Sequence, residues 1–319
     1  MGEQERMERL AQVCNMYYNE GKTQIEIAKE LDTTRFKVAK WLQEARVENV
    51  VNISINTKNY RSCRMEELLR DSFNLKHVVV LNTQYLTYAE TLRDLGKLGA
   101  AFLNKHIVKG CVVGVTWGKT LQALVGSLVP EQHASIDVVQ IAGCATTNNP
   151  PSDSPELVKL LAAAYNGKCH FLYAPLYARN ESMAESIKNE PVLKKTLETA
   201  KKMDIVVTGL GGLSSIPLQN PVWREYVSAE DLLRTDIIGS IYGRVMVRDG
   251  DFADIPLNRK LISVSMEDIM NADLRVLIAQ GRNKADAARA ALQRQYANVL
   301  ITDINTALTI GRAVNPDLQ

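Results

Sequence analysis

Seven short apolar runs punctuate residues 77 to 302 of this 319-residue chain and leave few folds open to it. They are His77–Asn82, Cys111–Trp117, Ile136–Ala142, Cys169–Ala174, Ile205–Gly209, Arg275–Ala279 and Val299–Thr302, with helical periodicity between most of them. Several are continuously apolar rather than alternating, as expected when helices cover both faces of a parallel sheet. A doubly wound α/β domain with a mostly parallel sheet is therefore predicted over residues 63–319. Leu210–Asn258 interrupts the alternation with Gly211, Gly212, Pro217, Pro221, Gly239, Gly243 and Gly250. Loops are predicted there, with a short hairpin around Tyr242–Val247 and Asp251–Asp254.

Ahead of that domain, residues 3–19 read as one helix, and Thr23 to Arg46 reads TQIEIAKELDTTRFKVAKWLQEAR. Thr23 and Glu26 have the spacing of a capping box ahead of Ile27, Ala28 and Leu31. Asp32-Thr33-Thr34 then breaks the pattern, because these side chains bond nearby backbone in competition with a helix. A second helix follows, with Val38, Trp41, Leu42 and Ala45 on one face and Arg35, Lys37, Lys40 and Gln43 on the other. Two short helices meeting at such a corner have the helix-turn-helix arrangement, whose second helix enters the major groove; a plain helical hairpin with a solvated basic face remains the alternative. The alternating run Val51–Asn56 predicts a strand, and residues 57–62 a linker, so the helical domain is placed at 1–56.

Bulk charge does not decide the matter, since the net charge is +2 and residues 1–60 carry nine Lys/Arg against nine Asp/Glu. Local placement carries the nucleic-acid argument instead. Cys14, Cys63, Cys111, Cys144 and Cys169 are scattered without a C-x-x-C, and the four histidines lack metal-ligand spacing, so no disulfide framework and no metal site are expected. The charged amino end and the lack of a long apolar run point to a cytoplasmic protein without membrane contact.

In open α/β sheets ligands bind beyond the carboxyl ends of the strands. There, Thr116-Trp117-Gly118-Lys119-Thr120 joins a strand to a helix with a glycine, a hydroxyl and an ammonium, groups that suit a phosphate. A turn that needs Gly118 for its backbone angles alone is an equal reading. A second polar loop runs from Gly143 to Asn149. A third, Gln280-Gly281-Arg282-Asn283-Lys284, brings cations to a helix start, where they oppose the dipole unless an anion lies between them. Asp303 reads as an N-cap. Thr208-Gly209-Leu210-Gly211-Gly212 lacks the context of a dinucleotide fingerprint.

The run Tyr17–Arg46 resembles the N-terminal domain of the SorC family of bacterial transcriptional regulators, with its paired tyrosines, T-Q-x-x-I-A-x-x-L and V-x-x-L-L-type second helix. Thr34 stands where the family has serine, and Trp41 where it has an aliphatic residue. GVTWGKT at Gly114–Thr120 and NVLITDINTA at Asn298–Ala307 are similar to the family's G-x-x-W-G-x-T and N-x-L-x-T-D-x-x-T-A, so the resemblance spans nearly the whole chain. It implies an effector domain related to sugar-phosphate isomerases and deaminases, with Gly118, Lys119, Thr120 and Lys284 at phosphate, the Gly143 loop at sugar, and Thr116 and Ser240 also among the effector-binding positions. Three departures stand out. The G-G turn reads Gly143-Cys144, G-G-x-x-K reads Gln280 to Lys284, and the V-G-[DE]-I carboxylate position is Ser240, whose hydroxyl cannot replace a carboxylate geometrically.

The resemblance thus implies a regulator, not an enzyme, that binds double-stranded operator DNA through Gln24, Thr34, Arg35, Lys37 and Lys40 as a dimer or tetramer. A small phosphorylated sugar or polyol would control that binding, with no cofactor. A sugar-phosphate isomerase or deaminase is the rival, although it needs a general base and the strand-end loops offer Asp303 and little else.

Overall fold

The computed structural model describes residues 3–48, 50–51, 60–84, 86–130, 134–145, 150–213, 222–232, 234–316 and 318. The chain divides into two compact units, Met1–Lys58 and Asn59–Gln319. Residues 52–56 of the expected strand and 57–59 of the expected linker lie outside the described residues. The rest of that linker belongs to the second unit: the Asn82 amide donates to Tyr60 O, and the Ser62 amide to Val80 O.

The first unit holds helices over Glu3–Cys14, Gln24–Glu30 and Arg35–Val47, the first continued by a π-helical turn at Asn15–Asn19. The expected capping box is present, with the Glu26 amide 3.3 Å from Thr23 Oγ1 and the Thr23 amide 2.7 Å from Glu26 Oε2. At the corner Asp32 takes a left-handed φ of 45°, which aspartate tolerates. Thr34 Oγ1 then accepts from the Lys37 amide and starts the next helix. Leu10, Val13, Met16, Ile27, Ala28, Val38, Leu42 and Ala45 close a small core.

The second unit is built on seven strands, all paired in parallel: β1 (His77–Leu81), β2 (Val112–Val115), β3 (Asp137–Gln140), β4 (Lys168–His170), β5 (Ile205–Thr208), β8 (Leu274–Ala279) and β9 (Val299–Asp303). Their order is β1-β9-β8-β5-β2-β3-β4. Alternate residues enter opposite cores, Val112, Val139, Val206 and Leu277 on one face and Val113, Val138, Val207 and Ile278 on the other. Burial on both faces is what made these strands read as continuous apolar runs.

The remaining strands, β6 (Ile237–Ile241) and β7 (Arg244–Val247), form an antiparallel hairpin. The expected hairpin placement is corrected here. Its first strand precedes Tyr242, and residues 251–254 contribute one isolated bridge, Met246 to Phe252. Tyr242 and Gly243 take φ of 54° and 82° and so form a two-residue turn of the primed kind. Tyrosine is a rare occupant of such a turn, so local sequence did not mark it.

Candidate effector site and nucleic-acid interface

From β2 the chain moves outward to β3 and β4; from β5 it moves the other way to β8 and β9. The reversal falls between the adjacent strands β2 and β5, and a crevice opens beyond the carboxyl ends at such a switch point. Thr116 directly follows β2 and Thr208 ends β5, with Oγ1 atoms 3.1 Å apart. Thr208 Oγ1 donates to Gly209 O at 3.0 Å, so its one proton is spent and Thr116 must be the donor between them. The pair pins the start of the loop leaving β5.

That loop lies between the two corners singled out in the sequence. A methyl group built at Gly209 would come 3.4 Å from Thr120 Oγ1, and one built at Gly212 would come 3.4 Å from Lys284 Cγ. Strands lie about 4.8 Å apart, which sets the exits of β2 and β8 about 10 Å apart across β5. Thr120 is buried and Lys119 exposed. Gly118 has φ 128° and ψ 162° with no atom near a built Cβ, so backbone angle and not crowding requires glycine there. Lys284 is part-buried and has no carboxylate partner among the described residues; desolvation holds its ammonium below the ordinary lysine pKa. A buried, unpaired cation is costly, and an arriving anion relieves that cost.

The hairpin closes one side of the crevice. Gly211 and Ser240 exchange both backbone hydrogen bonds at 2.9 Å, and Ser240 is buried at their junction. A methyl group at Gly239 would fall 2.4 Å from Gly211 O, which explains why the hairpin can approach so closely.

Gly143 is placed differently. Its amide donates to Ile262 O, and a built Cβ would lie 2.2 Å from Pro175 O, so its described contacts tie it to that packing rather than to Thr120 or Lys284. Residues 146–149 of its loop lie outside the described residues. A cavity of about 600 Å3 is lined by residues that include the ion pairs Lys188–Glu185, Lys201–Glu198 and Arg259–Glu181. Much of its charge is engaged in those pairs, and it does not include Thr120 or Lys284.

Asp303 caps the last helix. Oδ1 accepts from the amides of Asn305 and Thr306, and Oδ2 from the Gly281 amide at 3.0 Å and Thr306 Oγ1 at 2.6 Å. Asp303→Ala is expected to lower stability by about 1–3 kcal/mol, because buried donors lose their acceptor. Urea unfolding reads this directly, and an unchanged midpoint would remove the cap from the account.

In the helical unit Arg35, Lys37 and Lys40 are exposed on the second helix, and Gln24 is part-buried at the start of the first. Lys37 Nζ stands 5.4 Å from the Trp41 ring centre, and Lys40 lies 3.8 Å from Glu44. Sequence reasoning missed Phe36, which is 87% exposed beside these cations. The available signal was its phase, since it falls opposite Val38, Leu42 and Ala45. Thr208, Gly209 and Gly212 were weighed in the sequence only as a dinucleotide fingerprint and set aside, although their glycine run directly follows an apolar strand. Among the described residues no three metal-ligating side chains cluster, and no helix is long and apolar enough to cross a membrane.

Residues 57–310 match the family model described as "Putative sugar-binding domain". The chain belongs to this family, that of the SorC regulators. It is 29% identical over 314 residues to the transcriptional regulator LsrR of Escherichia coli, covering 96% of this chain and 95% of that one. It is 26% identical over 308 residues to the sorbitol operon regulator of Klebsiella pneumoniae, covering 93% and 96%. The full-length crystal structure of SorC from Klebsiella pneumoniae superposes with a TM-score of 0.75 at 24% identity, covering 95% of this chain and 98% of that one. At that identity the match speaks for the SorC fold.

Proposed function

We propose that the chain is a DNA-binding transcriptional regulator of a carbohydrate-utilisation operon, with operator affinity set by a phosphorylated sugar or polyol. The observation that carries this reading is the loop Gly209–Gly212, which runs about one methyl group's reach from Thr120 at one end and from Lys284 at the other, at the switch point of the sheet. The phosphate would take the Lys284 ammonium together with Gly118, Lys119 and Thr120. The polyol part would extend toward Thr116 and Ser240, where hydroxyls instead of a carboxylate favour a ligand able both to donate and to accept.

Arg35, Lys37 and Lys40 would meet phosphates and base edges from the major groove, with Gln24 on backbone and Thr34 holding the helix start. Phe36 suits the methyl group of a thymine. One such helix reads few base pairs, so a dimer or tetramer on a palindromic site is required, and the effector would act by favouring one quaternary arrangement. Such a regulator would act in the cytoplasm, where its operator lies. The enzyme reading is weakened by Asp303, whose four accepted hydrogen bonds leave no lone pair for proton abstraction. The test is footprinting of the full chain on the DNA upstream of its own operon, with a panel of sugar phosphates and their unphosphorylated forms. Release or tightening by phosphorylated members alone supports the reading; protection indifferent to the whole panel removes the effector from it.

A further inference from the structure

The first helix of the helical unit, Glu3–Cys14, lies against the second motif helix, Arg35–Val47, and two contacts show how they run. Arg6 pairs with Glu48 at 2.8 Å, and one turn further on Arg9 stands over Trp41, its Cζ 6.0 Å from the ring centre. Rising numbers on the first helix meet falling numbers on the second, so the two are antiparallel. Arg9 is thereby carried toward the end of the motif helix that bears Arg35 and Lys37.

Trp41 holds a second cation. Lys37 precedes it by one helical turn, and its Nζ is 5.4 Å from the same ring centre. The electron-rich face of an indole attracts cations at such distances. Trp41 also packs against the core of the unit, so packing sets the place of the ring and the ring sets the place of both cations. An aliphatic side chain there could fill the same space but would offer no such face. Lys37 is exposed and Arg9 part-buried, and neither has a carboxylate partner among the described residues. Two like charges gathered at one ring repel each other, and a polyanion laid across them removes that cost. Base edges lie within the groove, where the motif helix itself reaches; a cation supplied from a neighbouring helix at its flank meets the phosphates along the groove's edge.

We propose that Arg9 is a further DNA contact, made to a backbone phosphate next to the one taken by Lys37, and that Trp41 is the positioning residue for both. This rests on the DNA-binding reading of the helical unit and adds to it a contact from outside the helix-turn-helix motif. Fluorescence anisotropy of the full chain over a potassium chloride series tests it on two duplexes of equal length, the DNA upstream of its own operon and a random sequence. Arg9→Ala is expected to weaken binding to both by a similar factor, about three- to tenfold at low salt, and to reduce the salt slope by about one. Arg9→Lys keeps the charge and is expected to keep the slope. Trp41→Leu retains both cations without their support, so it is expected to weaken both complexes and to shrink the penalty of a second Arg9→Ala change by about half or more. An unchanged slope in Arg9→Ala, with the wild type bound, overturns the proposal and leaves the DNA reading standing, whether or not thermal melting shows a packing defect. A loss confined to the upstream duplex overturns the phosphate assignment in favour of a base contact. A full Arg9→Ala penalty in the Trp41→Leu background overturns the positioning role of the ring. Absence of salt-dependent binding of the wild type to either duplex removes the DNA reading itself, and this contact with it.

Discussion

Lys284→Ala is expected to weaken binding of the phosphorylated effector by about 2–5 kcal/mol, roughly 30- to several thousand-fold. The part-buried ammonium at the β8 exit has no carboxylate partner among the described residues, so the proposed anion would be its counter-charge, and truncation would leave the phosphate desolvated without one. The same variant is expected to leave the ligand-free fold intact or slightly stabilised, because an unpaired charge departs. The pH dependence follows from the direction of the shift. Burial lowers the lysine pKa in the folded state, so its destabilising cost is full at low pH and is relieved as pH rises from the lowered pKa toward the unfolded value. Effector affinity moves the opposite way and falls as pH rises through the lowered pKa, earlier than a solvent lysine would allow. Lys284→Arg keeps its charge through that range and flattens the profile. Calorimetry with the sugar phosphate that shifts the footprint measures both, and unaltered affinity in Lys284→Ala would take the phosphate away from this corner.

Arg35→Ala is expected to reduce operator binding by about 1–3 kcal/mol, roughly 5- to 150-fold, and to relax discrimination at one position of each half-site. Arg35 is exposed at the first position of the second motif helix, the end by which a recognition helix of this kind would enter the groove. Lys40→Ala should behave differently, lowering affinity evenly across sequences and reducing the salt slope by about one. Its side chain is 75% exposed and only 3.8 Å from Glu44, so removing it disturbs little of the fold. Gel shifts over a salt series separate the two behaviours. If neither substitution changes retardation, the exposed face of this helix does not read DNA.

The pattern of residues showed most of the elements and only part of the site. The corners at Gly118–Thr120 and Arg282–Lys284 were visible because a glycine, hydroxyls and cations follow apolar strands. Gly143 looked equally suitable in sequence, yet its requirement comes from the Pro175 carbonyl, a neighbour that no local pattern reveals. Phe36 was overlooked, and the Gly209–Gly212 loop set aside as a poor dinucleotide fingerprint, for the converse reason, since their surroundings depend on what stands, or fails to stand, beside them.

By itself the sequence determined the capping box at Thr23, the two-faced burial of the strands and the helix start at Asp303, because these rest on side-chain periodicity and hydrogen bonds spanning a few residues. Tertiary structure alone decided that Thr116 meets Thr208 across 92 residues and that Gln280 Oε1 is buried without a hydrogen-bond partner among the described residues. Strand order is set by how whole faces pack, and that choice is spread over the entire sheet rather than written beside the residues it brings together.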